Sequence, residues 1–213
     1  MSRRIPLFPL PDVVLLPGTM LPLHIFEPRY RAMVADALEG DRTIGMAMVR
    51  PGWEEYGQAP PIFPVGGAGR IVEAEQLPDG RYNIVLAGEF RYRVVEESRA
   101  APYRVASVHR LDPTLFPSSS RAEEISSEAT GLFRQLGEAM ELLPLPEEDL
   151  EIERLASELA QRLRYEPAEL QAFLETDSLP DRFALLLARM REWRERIRFL
   201  APFRGGQPPS SRN

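Results

Sequence analysis

Apolar positions in the first half of the chain come in short runs broken by proline. Residues 5–8, 13–16 and 21–25 are such runs, split by Pro9, Pro11, Pro17 and Pro22. That spacing is too close for a helix and suits edge strands and tight turns. At Pro28 the period changes: Tyr30, Met33, Val34, Ala37 and Leu38 recur at helical spacing and Gly40 stops them, predicting one amphipathic helix laid on a sheet. Further strands are expected at 43–49, 65–77, 82–86, 90–95 and 103–111. Between two of them, Pro78-Asp79-Gly80-Arg81 is a hairpin signal, because Asp-Gly tolerates the positive φ of a tight turn. Charged and apolar side chains alternate through 90–95, so one face there is buried. About seven short strands and one helix predict a twisted, partly closed barrel.

After residue 112 the pattern is helical. Ile125, Leu132, Phe133, Leu136 and Met140 form one stripe, and Ile152, Leu155, Leu159 and Leu163 another. Leu170, Phe173 and Leu174 mark a short helix after Pro167. Leu179, Phe183, Leu186, Met190, Trp193, Ile197 and Leu200 then repeat at alternating spacings of four and three, with Ser178 and Asp181 as a capping box. This seam closes a bundle of about four helices, and it is equally of the kind that forms a homodimer. The expected organisation is an α+β chain: a barrel at 1–112, a Pro/Ser linker at 113–122, a helical bundle at 123–201 and a disordered tail at 202–213.

Composition removes several chemistries. There is no cysteine among the 213 residues, which excludes disulfides, thiolate nucleophiles and Cys-based zinc sites. There is no lysine either; all 26 basic residues are arginine. A phosphate-binding loop, a Ser–Lys protease dyad and a pyridoxal Schiff base each need lysine, so none is expected, and neither is a catalytic residue. Gly66-Gly67-Ala68-Gly69 precedes a strand rather than a helix, which predicts a bulge or bend at a barrel corner and not a nucleotide loop. His24 and His109 read as structural or surface residues, so no metal or cofactor site is expected. No apolar run near the N-terminus is long enough for a signal peptide or a membrane span, so the expected location is the cytoplasm. A net charge of −6 argues against nucleic acid as a partner. The alternative is a single-strand RNA face on which Arg91, Arg93, Arg104 and Arg110 interleave with Tyr92 and Tyr103.

The opening residues 5–30, together with Val65-Gly66, Arg70-Ile71, Leu77-Pro-Asp-Gly80 and Gly88-Glu-Phe-Arg-Tyr-Arg-Val94, resemble the N-terminal substrate-recognition domain of Lon proteases, a domain type also found in cereblon and in stand-alone bacterial proteins. Leu170-Gln-Ala-Phe-Leu-Glu175 and Asp181-Arg182-Phe183 resemble that domain's helical part. The resemblance covers about residues 5–200. It implies a PUA-like β-barrel joined to a helical bundle that holds unfolded or tagged proteins and peptides. It also implies that ATPase and protease activities, which reside elsewhere in Lon, are missing here, since the chain ends where the ATPase would begin. The absence of cysteine excludes the zinc-bearing module of cereblon.

Within that expectation the candidate contact residues are apolar groups in Pro/Gly-rich loops. Trp53, Tyr56 and Phe63 lie in one such loop, where large rigid rings either plug the barrel end or present contact area. Met20 and Leu21 follow the Pro17-Gly18 turn, and methionine adapts to varied apolar partners.

Overall fold

The computed structural model describes residues 2–52, 54, 60–98, 102–145 and 150–200, with 138, 139 and 200 described by backbone only. Trp53, Tyr56 and the expected tail at 202–213 lie outside them. The sheet is built from β1 (Arg3–Leu10), β2 (Met20–Ile25), β3 (Thr43–Met48), β4 (Val65–Gln76), β5 (Tyr82–Ser98) and β6 (Arg104–Leu111), with α1 (Pro28–Glu39) between β2 and β3. Its order is β2-β5-β4-β3-β1-β6, and β5 also pairs with β6. β1 and β3 run parallel and the other pairs are antiparallel. The pairing of β5, β4, β3, β1 and β6 is therefore cyclic. β5 is long enough to give one edge to β2 along Tyr82–Ala87 and then to β6 along Arg91–Ser98, while β4 takes the other edge.

The strands send side chains to two cores. Ile5, Leu7, Ala47, Ala68, Phe90, Tyr92, Ala106 and Val108 fill the interior, where the small residues suit a ring of only five strands. Tyr92 is fully enclosed there and donates its hydroxyl to the Met46 carbonyl at 2.8 Å. On the opposite face of the strands, Phe8, Ile25, Ile44, Ile71, Ile84 and Leu86 pack against Tyr30, Met33, Val34 and Ala37 of α1.

Two expectations change. Residues 13–16 pair with no strand; they cross over the sheet, with the Leu15 carbonyl so close to Gly67 that a Cβ there has no room. The segments expected at 82–86 and 90–95 are one continuous strand, so the described residues form six strands instead of about seven. The glycine run does contain a bulge, with a register shift between Ala68 and Gly69.

Four helices follow: α2 (Ser119–Met140), α3 (Ile152–Arg162), α4 (Pro167–Glu175) and α5 (Leu179–Leu200). Ser118 accepts the Arg121 amide, so the serine run forms the start of α2. Ser178 caps α5 through the Asp181 amide at 3.2 Å. Leu132, Phe133 and Leu136, Leu155 and Leu159, Phe173 and Leu174, and Phe183, Leu186 and Met190 make one core, to which the sheet side contributes Leu16 and Val65.

Polar groups also join sheet to helices. Arg91 on β5 is 1% exposed and donates to the carbonyls of Leu174 (2.9 Å) and Thr176 (3.2 Å) and to Asp177 Oδ1 (3.0 Å). Arg182 on α5, also 1% exposed, donates to the same Thr176 carbonyl at 2.7 Å and to Glu153 of α3 at 3.1 Å. Gln171 of α4 donates to the Val65 carbonyl at 3.0 Å. Burial, followed by the facing charge of Arg91, holds the Arg182 guanidinium below its ordinary pKa.

Arg91→Ala is expected to lower unfolding free energy by about 2–4 kcal/mol, since it opens a buried volume and strips charge-assisted partners from two carbonyls. Asp177→Asn is expected to cost about 1 kcal/mol or less, because the Asp177 side chain is 57% exposed and both carbonyls remain. Urea titration of the two variants checks the ranking, and equal losses would contradict it. Alkaline pH gives a second check. Burial and a 2.5 Å bond to Asp36 push Tyr103 up to about 12, and burial pushes Tyr165 up to about 12. An unfolded tyrosine titrates near 10, so between about pH 10 and 12 the folded chain binds more protons than the unfolded one. Stability is then fully present below about pH 10 and falls as pH rises through that window. Tyr103→Phe is expected to flatten the fall, read by denaturant midpoints across the range.

Candidate protein-binding face

The period of two along β2 assigns its residues to two surfaces. Leu21 and Leu23 are half-buried and Ile25 is buried, all against the α1 core. Met20, Pro22 and His24 point the other way, and Phe26 continues their row; Met20 is 52% and Phe26 61% exposed. Directly opposed residues in antiparallel strands share a face. Ala87, Val85 and Asn83 of β5, which pair with Met20, Pro22 and His24, therefore extend this surface. Glu73 and Glu75 of β4, paired with Val85 and Asn83, complete it. The outer side of β2-β5-β4 holds a groove of about 560 Å³ lined by Pro22, His24, Glu73, Glu75, Asn83 and Val85, among others.

Local chemistry fixes the geometry of this face. Thr19 N bonds the Leu16 carbonyl across Pro17-Gly18, and Gly18 has φ +79°, so the turn requires a residue free to take the left-handed region. Gly18 N donates to the Gly88 carbonyl and Gly88 N to the Thr19 carbonyl, both at 2.8 Å, which sets the register of β2 on β5. The Arg154 side chain of α3 lies on Gly18, its Cγ 2.6 Å from where a Cβ would stand. At the other end, Asn83 Nδ2 donates to Glu75 at 3.1 Å, which orients the amide so that Oδ1 accepts from His24 Nδ1 at 2.7 Å. His24 Nε2 then accepts from Arg81 at 3.2 Å, and Arg81 is held by Asp79 at 2.7 Å. In this arrangement Nδ1 faces the Asn83 carbonyl oxygen and Nε2 faces the Arg81 guanidinium. The Arg81 backbone amide, as the leading cause, holds the Asp79 carboxyl below its usual range.

The expected contact residues do not gather on one surface. Met20 lies on this face, whereas Leu21 belongs to the core side of the same strand. Phe63 is half-buried beneath the Arg50 guanidinium, 5.8 Å from its ring centroid, near the start of β4. Met20 pairs through Ala87 with Arg70, seven residues further along, so about 23 Å of strand separates the two. Pro22, His24, Phe26 and Val85 were missed as site residues. Alternation in Met20-Leu-Pro-Leu-His-Ile-Phe26 could have found them, since it leaves a methionine and a phenylalanine on the side away from the leucines.

Other surfaces are more committed. A groove of about 480 Å³ between α2 and α5 is rimmed by Arg121 and Arg191, but these pair with Glu124 and Glu128. The arginines weighed for RNA divide: Arg91 is buried under the helices, Tyr92 lies inside the ring, Tyr103 bonds Asp36, and Arg93 and Arg110 are exposed. In the α5 seam, Leu179, Phe183, Leu186 and Met190 are buried within the chain, which leaves the turns after Met190 for any contact with a second copy. Among the described residues, no group of three or more acidic or histidine side chains is placed to hold a metal.

Comparison with known proteins agrees with this architecture. The family model of the ATP-dependent protease La (LON) substrate-binding domain matches residues 4–192. Lon protease 2 of Myxococcus xanthus is 32% identical over 199 residues, covering 90% of this chain and 24% of that protease. Lon protease of Dictyoglomus thermophilum is 28% identical over 186 residues, covering 84% and 23%. The chain thus spans about a quarter of the length of these curated relatives. Among solved structures, the N-terminal domain of Mycobacterium avium complex Lon protease superposes with a TM-score of 0.67 at 17% identity, covering 89% of this chain and 98% of that one. The Lon N-terminal domain protein from Xanthomonas campestris gives 0.63 at 26% identity, covering 87% and 98%. The chain belongs to the LON substrate-binding domain family.

Proposed function

We propose that this chain is a non-catalytic module that holds exposed apolar segments of other proteins, unfolded or tagged, on the outer face of β2-β5-β4. The observation that carries the reading is the row Met20, Pro22, His24 and Phe26, which presents apolar side chains outward from a strand whose other side is locked into a core. A surface of that kind offers contact area without an ordering cost of its own. Family membership supports a substrate-binding role. The lack of lysine supports binding without chemistry, because the Ser–Lys dyad and the phosphate-binding loop both require one. No helix among the described residues is long and apolar enough to cross a membrane, and the proposed setting is the cytoplasm.

Binding of a reduced and alkylated, permanently unfolded model protein tests the reading. Met20→Asp and Phe26→Ser are each expected to weaken it about tenfold, the loss of roughly 1.5 kcal/mol that removal of one apolar anchor produces. Both residues are exposed, so the variants keep the wild-type circular dichroism and denaturation midpoint within about 0.5 kcal/mol. Unchanged affinity in both folded variants would contradict the reading.

A further inference from the structure

We propose that the segment this face takes is cationic as well as apolar: a stretch of polypeptide in which Lys or Arg accompanies Met-, Leu- or Phe-like side chains. The inference rests on the protein-binding reading above and adds the charge of the substrate. The face is two-toned across its width. β2 presents Met20, Pro22 and Phe26, and β4 presents Glu73 and Glu75. The two rows lie two strand spacings apart, about 10 Å, with Val85 and Asn83 between them. A segment lying across the groove therefore meets apolar side chains on one side and carboxylates on the other.

The carboxylates are available. Among the described residues no cation pairs with Glu73, and Glu75 accepts only from the neutral Asn83 amide. Two cations near the face are engaged by other carboxylates, Arg81 by Asp79 and Arg70 by Glu89. His24 is engaged by Asn83 and Arg81. The groove thus sets two carboxylates without an ion-pair partner among the described residues beside an apolar row. Lysine and arginine match that arrangement, because their methylene stems can lie along Val85 while their heads reach the carboxylates. A second copy of the chain is a poor occupant: it carries the same acidic row and a net charge of −6.

The test uses the full chain and three labelled peptides of equal length and apolar content whose spacer residues are Lys, Ser or Glu, read by fluorescence anisotropy at low and high salt. The Lys peptide is expected to bind tightest and the Glu peptide weakest, with the spread collapsing at high salt. Glu73→Gln with Glu75→Gln should weaken the Lys peptide by about threefold to thirtyfold at low salt and leave the Ser peptide unchanged, the range expected for two exposed ion pairs. Glu73→Arg with Glu75→Arg should invert the order in favour of the Glu peptide, an effect that mere structural damage does not produce. Equal binding of all three peptides, insensitive to both double variants, would overturn the charge inference and leave the apolar reading standing. Binding of none would overturn both. Self-association abolished by Met20→Asp, without peptide binding, would assign the face to a second copy and overturn the inference as well.

Discussion

One backbone carbonyl, that of Thr176, accepts from two buried guanidinium groups: Arg91, reaching out of the sheet, and Arg182, reaching back from the last helix. Burying two like charges side by side costs several kcal/mol each unless hydrogen bonds and opposite charges compensate. Compensation is local. The Leu174 carbonyl and Asp177 take Arg91, and Glu153 takes Arg182. The cluster ties the α4–α5 connection to β5 through Arg91 Nη1 and to α5 through Arg182 Nε. From it the helices reach the proposed binding face. Glu153 of α3 ties to Arg182, and its chain neighbour Arg154 lies over Gly18, the turn that launches β2. The position of Met20 and the residues after it is thus set from the helical side as well as from β5.

That arrangement explains how one sheet can be both core and contact surface. The side of β2-β5-β4 that faces α1 is closed and the opposite side is left open, with the free edge of β2 blunted by Pro22. Arginine as the sole basic residue fits the rest of the molecule. At Arg189 a single side chain pairs with both oxygens of Glu169 and lies over the rings of Tyr165 and Trp193, a combination that lysine does not make.

Much of the fold was legible in the chain because local and global preferences agree. Pro28 and Gly40 bracket α1, Asp79-Gly80 turns β4 into β5, and the apolar stripes of 125–190 are the bundle core. What was not legible depended on distant contacts. Residues 13–16 look like a strand, and only their crossing over Gly67 shows why they pair with nothing. Arg91 alternates with apolar neighbours as a solvent-facing residue would, and its burial comes from a helix end more than eighty residues away. The two arginines that meet at Thr176 were each visible as motif residues, Gly88-x-x-Arg91 and Asp181-Arg182-Phe183, but nothing local says that the motifs meet. At the proposed binding face, Met20 could be singled out by type. Leu21 could be separated from it only by strand period, and Phe63 only by distance.

The most direct measurement is a backbone amide NMR titration of the isotope-labelled chain with an unfolded, apolar polypeptide. The account predicts that perturbed amides cluster at 20–26, 73–75 and 83–87, with 121–128 and 184–191 unmoved. Perturbations confined to the α2–α5 groove, or to no contiguous surface, would contradict it.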